Sequence, residues 1–158
     1  MQDPRITDVL VALRRVIRAT DLHSRELVRS SGLTAPQLLL LQTVKNKGEA
    51  TVGALAQEMS LSQATVTSIL DRMEARKYVM RKKTAADRRK VYITLTALGK
   101  TAIRNAPVPL QESFVEQFSK LPDWEQNMII SALQRIACMM DAQNLDAAPV
   151  LDVGTLDR

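Results

Sequence analysis

Few of the 158 residues are suited to covalent or acid–base chemistry. There is one histidine, His23, and one cysteine, Cys138, at opposite ends of the chain. A catalytic nucleophile needs a base beside it and an acid to orient that base, and no spacing here supplies the set. A single Cys and a single His make no metal-ligand cluster, and one Cys cannot close an internal disulfide. No glycine-rich phosphate loop is present. The residues therefore predict neither an enzyme nor a bound cofactor or metal. The chemistry they do support is the binding of a polyanion. Residues 71–90 hold nine basic side chains (Arg72, Arg76, Lys77, Arg81, Lys82, Lys83, Arg88, Arg89 and Lys90) against Asp71, Glu74 and Asp87, a net +6 in twenty positions. Residues 101–158 carry four basic and eight acidic residues, a net −4. A solvated charged face would explain a basic run of ordinary density. Concentration of a net +6 in one short region is the footprint of a polyanion-binding site, and composition alone leaves the solvated charged face open beside it.

Elements of the right kind stand around that cluster. Ile6, Val9, Leu10, Leu13, Val16 and Ile17 recur at helical spacing, which predicts a first helix over about 5–30, stopped by Gly32. Thr34 and Gln37 fit a capping box around Pro36, with Leu33 and Leu38 placed as a hydrophobic staple. That second helix should end between Lys45 and Gly48. A short helix over Thr51–Met59 follows, preceded by a residue or two of extended chain. Ser60-Leu61-Ser62 is a turn, with Ser62 as N-cap of a longer helix from Gln63 to about Arg76. Val66, Ile69, Leu70 and Met73 fall on one face of it, while Gln63, Thr65, Thr67, Ser68 and Arg72 face outward. The period then changes. Tyr78–Lys82 and Val91–Leu95 read as strands around the polar, basic loop Lys83–Lys90, which makes a hairpin with a projecting tip. Thr96 can cap a helix over Ala97–Ala106, and Pro107 and Pro109 break it. Apolar spacing resumes at Leu110, and a last helix starts near Pro122-Asp123-Trp124-Glu125. Beyond about Ala142 the periodicity fades.

The fold class expected is mainly α with a small β-hairpin: a winged helix-turn-helix over 34–99, flanked by dimerisation helices at 1–33 and 100–142, with a flexible tail at 143–158. An α-helix fits the major groove, where base edges carry a distinct pattern of donors and acceptors. Arginine in the wing suits the negative potential of a narrow minor groove. With 46% hydrophobic and only 3% aromatic residues, the core must be aliphatic and suits helix packing. The N-terminus, Met1-Gln2-Asp3-Pro4-Arg5, is not of signal-peptide type, and no apolar run is long enough to span a bilayer. The expectation is a cytoplasmic protein without a membrane partner.

These residues resemble the MarR family of bacterial regulators. The likeness is carried by Leu55-Ala56, by Ser62–Glu74, and above all by Asp87-Arg88-Arg89 followed by Val91–Leu95 and Thr96-Ala97-Leu98-Gly99. It spans roughly 5–141. What the resemblance implies is a homodimer that presents two recognition helices to a pseudo-palindromic duplex, usually as a repressor. It implies that Arg89 enters the minor groove beside Arg88 and Lys90, and that Asp87 holds the wing through a neighbouring arginine. Ser62, Gln63, Thr65, Thr67 and Ser68 would face the major groove. Arg72 would contact phosphate or brace the helix, and Lys77 and Arg81 complete the predicted DNA-binding set. Lys77 stands where the family commonly has Gly, so either the cap differs or the lysine is kept for a phosphate. The segments Arg18–Arg25 and Gly32–Gln37 are similar to a subgroup controlling compatible-solute genes, which implies a small-molecule or osmotic effector. His23 reads as a surface or pocket-rim residue, Cys138 as a buried structural thiol on the last helix, and Trp124 as a packing residue. The alternative function is a winged-helix module for protein–protein contact without sequence-specific DNA binding.

Overall fold

The computed structural model describes residues 3–83, 90–108, 110–145 and 151. The elements run α1 (Pro4–Ser31), α2 (Ala35–Lys47), β1 (Glu49–Ala50), α3 (Val52–Met59), α4 (Gln63–Ala75), β2 (Val79–Lys83), β3 (Val91–Leu95), α5 (Ala97–Asn105), α6 (Leu110–Phe118) and α7 (Asp123–Met139). The mainly α, winged helix-turn-helix class is as the sequence predicts.

Local chemistry sets the boundaries. Asp3 caps α1 by accepting from the Arg5 N–H at 2.9 Å, and Gly32 ends it in a left-handed conformation with φ 68°. Gln37 Oε1 accepts from the Thr34 N–H at 3.1 Å, the Gln arm of the predicted capping box. Thr51, Ser62 and Thr96 each accept from the backbone N–H three residues on, at 3.3, 3.1 and 3.1 Å. Ala106, extended at ψ 141° ahead of Pro107, closes α5 as a pre-proline residue should.

The core lies inside the winged unit. Leu33, Leu38, Leu40, Leu41 and Val44 of the α2 region meet Leu55 and Met59 of α3 and Val66, Ile69, Leu70 and Met73 of α4, closed by Val79 and Ile93 of the sheet. Fully burying each such side chain contributes about 1.5–3 kcal/mol.

The sheet differs from the expected hairpin. It has three antiparallel strands in the order β1-β3-β2, because Glu49 pairs with Thr94 and Ala50 with Ile93. These are the one or two extended residues expected before α3, and their pairing, which the sequence did not show, satisfies backbone groups on the outer edge of β3. β2 also begins at Val79 rather than Tyr78. The Tyr78 N–H is bound to the Met73 carbonyl at 2.9 Å, so it belongs to the α4 cap and not to the ladder.

The flanking helices behave differently from the core. Over the 28 residues of α1 only Thr20 and Leu27 are buried, and α6 and α7 bury none. Ile6, Val9, Leu10, Val16 and Ile17 of α1 are exposed, as are Phe114, Val115, Met128 and Leu133 of α6 and α7. Two expectations are corrected here. Cys138 is exposed rather than buried, and Trp124 is 64% exposed rather than packed. Both sit on α7, none of whose residues is buried by the other described elements. Most of the predicted tail, including 146–150 and 152–158, lies outside the described residues.

Candidate nucleic-acid interface

Each part of the candidate site is held by backbone chemistry. Between α3 and α4 the chain reverses in three residues. Ser60 is left-handed with φ 52°, Leu61 N–H donates to the Ala56 carbonyl at 3.0 Å, and Ser60 N–H donates to the Gln57 carbonyl at 3.3 Å. This pair of hydrogen bonds is a Schellman cap, and it drops the buried Leu61 into the core so that Ser62 can start α4 at once.

The inner face of α4 is fully buried, which fixes what its outer face presents. Ser62, Gln63, Thr67 and Arg72 are exposed, and Thr65 and Ser68 are half-buried. The Ser62 and Thr65 hydroxyls lie 2.8 Å apart, and the Thr67 hydroxyl donates to the Gln63 carbonyl at 2.7 Å. That bond leaves the Thr67 oxygen able to accept, and the Gln63 amide supplies both donors and an acceptor. Gln63, Thr67, Ser68 and Arg72 line one shallow surface depression with Ala64 and Asp71. Arg72 makes no ion pair among the described residues.

The far end of α4 carries a second Schellman cap, with Lys77 N–H on the Glu74 carbonyl at 2.8 Å and Tyr78 N–H on that of Met73. Lys77 is left-handed, with φ 60°. The cap therefore has the conformation that glycine would adopt, and the lysine adopts it at a steric cost of about 1 kcal/mol. Its side chain is exposed at the start of the wing. The Thr96 hydroxyl donates to the Lys77 carbonyl at 2.6 Å, and the Thr96 N–H donates to that of Tyr78 at 3.1 Å. A Cβ on Gly99 would stand 2.1 Å from the Tyr78 carbonyl oxygen, so only glycine lets α5 approach this closely. The Leu-Thr-Ala-Leu-Gly stretch thus clamps the wing root.

In the wing, β2 and β3 pair from Val79↔Leu95 to Lys83↔Val91. Lys82, Lys83 and Lys90 are exposed on it. Arg81 is placed differently from a free cation. It donates to Asp71 at 2.6 Å and to Glu74 at 2.8 Å, which pins β2 to α4 and offsets one of the two negative charges beside the polar face. Asp87, Arg88 and Arg89, the predicted wing tip, lie outside the described residues, and with them the expected Asp87 ion pair.

Sequence reasoning did not single out Arg76. The guanidinium donates to the Gly32 carbonyl at 2.7 Å and to the Tyr78 hydroxyl at 3.1 Å. The partners are 44 positions apart in the first case, so no local pattern could have shown the bond.

A helix-turn-helix whose second helix turns a hydroxyl- and amide-rich face outward, followed at once by a basic hairpin, defines a winged helix-turn-helix of the DNA-binding type. The model of the MarR family matches residues 33–91, the stretch from α2 to the start of β3. The uncharacterized HTH-type transcriptional regulator YsmB of Bacillus subtilis is 30% identical over 131 residues, 83% of this chain and 90% of YsmB. The chain belongs to the MarR family of transcriptional regulators. Among solved structures it is similar to BpsR of Bordetella bronchiseptica, whose DNA binding is regulated by 6-hydroxynicotinic acid: 28% identity, 82% and 92% of the two chains, TM-score 0.56. It shares its fold with an Escherichia coli MarR variant complexed with operator DNA, at 21% identity, 84% and 95% coverage and a TM-score of 0.58. No helix among the described residues is long and apolar enough to cross a membrane.

Proposed function

We propose that this chain is a sequence-specific repressor that binds a pseudo-palindromic operator as a homodimer. The observation that carries the reading is the α4 surface: a capped helix with Ser62, Gln63 and Thr67 exposed and Thr65 and Ser68 half-buried beside a basic wing. In this reading those five side chains meet base edges in the major groove. Arg72 and Lys77 contact phosphate, and Arg81 holds the wing against α4. Arg88, Arg89 and Lys90 serve the minor groove, with Asp87 steadying the tip. Residues 34–99 are the DNA-binding unit. Residues 1–33 and 100–142 form the dimer, and the support for that is the exposed apolar stripe shared by α1, α6 and α7. An open groove of about 420 Å³ between α1 and α6, walled by Val16, Ala19, Leu110, Phe114 and Phe118, is continuous with that stripe and belongs to the same interface. The repressor sign follows family habit and the similarity to MdtR of Bacillus subtilis, a transcriptional repressor 27% identical over 97 residues.

The wing is tested by fluorescence anisotropy on duplexes from the DNA flanking the gene. Arg89→Ala should weaken binding by about tenfold or more without lowering the melting temperature, since a minor-groove arginine is an exposed group worth about 1–3 kcal/mol. Wild-type affinity should also fall steeply with salt as phosphate neutralisation releases counterions. Equal binding by the Arg89 variant would overturn this reading of the wing.

Release of DNA by a small molecule completes the proposal, and its support is the similarity to BpsR. Titrating the operator complex with 6-hydroxynicotinic acid, ectoine and betaine tests it. Dissociation by one of them supports an effector of that chemistry, and for ectoine or betaine an osmotic signal. A complex that persists through all three contradicts these assignments.

A further inference from the structure

One guanidinium joins three parts that the proposed function needs to keep in register. Arg76 is the C-cap residue of α4. Its Nη1 donates to the Gly32 carbonyl, at the corner between α1 and α2, and its Nη2 donates to the Tyr78 hydroxyl. Its Cζ lies 4.8 Å from the centroid of the Tyr78 ring, which adds a cation–π contact. Tyr78 is the residue before β2, and its carbonyl is held by Thr96. Gly32 is suited to its part. It is left-handed, its N–H closes α1 on the Val28 carbonyl at 2.8 Å, and a Cβ there would come within 3.2 Å of Arg76 Nη2.

We propose that Arg76 is the positioning residue that fixes the angle of α4 against α1, and through α1 the separation of the two recognition helices in the dimer. The inference rests on the operator-binding homodimer proposed above. The physical argument is one of directionality. α1 adds only Leu27 to the apolar core, and apolar contacts hold elements together without strongly fixing their rotation. A planar, charged fork with two acceptors fixes orientation as well as distance. Two half-sites about 34 Å apart are read together only if both helices have the right spacing and tilt. A small angular error at each α4 is then felt as an error in spacing. Lysine keeps the charge at position 76 but not the fork.

The test uses the full-length wild type, Arg76→Lys and Arg76→Met. Each is titrated against the duplex that the wild type selects from a random pool, and against the same duplex with one base pair inserted between the half-sites. Wild type should discriminate sharply against the insertion. Arg76→Lys should bind the selected duplex about tenfold more weakly, with an unchanged salt slope, and discriminate between the spacings at least about threefold less. A merely structural Arg76 would weaken both duplexes by the same factor and leave the spacing ratio at its wild-type value, and that result would overturn the inference alone. If the wild type selects no palindrome, the operator reading fails and the inference with it. Should Arg76→Met not fold, Arg76→Lys and Tyr78→Phe, which removes only the hydroxyl acceptor, report the same ratio.

Discussion

Lys77 holds a backbone conformation that its side chain disfavours, beside the surface proposed to meet DNA. Its φ of 60° is the left-handed region, where a Cβ is crowded by backbone. Lys77→Gly should therefore raise stability by roughly 0.5–1 kcal/mol in urea denaturation, the relief of strain exceeding the entropy that glycine adds to the unfolded chain. The same variant should bind DNA more weakly, with the salt slope reduced by about 0.9 for each phosphate that is no longer neutralised. Greater stability with unchanged DNA affinity would remove Lys77 from the interface. Arg81 illustrates the reverse relation between sequence and role. Its place in a basic run suggests a free cation, but Asp71 and Glu74 occupy it. At 31% side-chain exposure the two pairs add only modestly to stability. Their effect is to hold the wing strand on α4 and to offset one of the two negative charges in the field that DNA would meet.

Secondary-structure elements were legible where their ends carry local chemistry. Thr34 with Gln37, Ser62 and Thr96 announce helix starts, Gly32 announces a stop, and Pro107 a break, because caps and prolines act within a few residues. The helical spacing of Val66, Ile69, Leu70 and Met73 named the buried face of α4, and with it the face left to solvent. What stayed hidden depends on partners far away in sequence. The extended residues before α3 were expected, but their pairing with β3 as a third strand was not, since two residues cannot advertise a partner. The start of β2 moved by one position because the α4 cap takes the Tyr78 N–H. Arg76 reaches a carbonyl at the corner between α1 and α2, 44 positions away, and the exposure of Cys138 and Trp124 reflects an α7 that the other described elements do not bury. The wing tip was legible as a motif, Asp87-Arg88-Arg89, and lies outside the described residues, so its part in the interface rests on the sequence and the family.

At the scale of the whole molecule, a compact winged unit is joined to helices that bury almost nothing. Leu10 and Ile17 on α1 and Leu133 on α7 are 54–59% exposed, and in the proposed homodimer a second copy covers them. The melting temperature should rise with protein concentration, since the dimer binds only folded protomers. Leu10→Glu combined with Leu133→Glu should give a monomer by sedimentation, with operator affinity abolished because the two half-sites are no longer read together. A variant that stays dimeric would move the interface elsewhere. The central claim is that α4 and its wing read a defined sequence, and selection from a random duplex pool by the wild-type protein tests it most directly. The prediction is an enriched pseudo-palindrome with half-sites about one helical turn apart, an enrichment abolished by Gln63→Ala with Thr67→Ala. A pool bound in proportion to its charge alone, with no sequence enriched over repeated rounds, would contradict it and favour a basic surface built for an acidic protein partner.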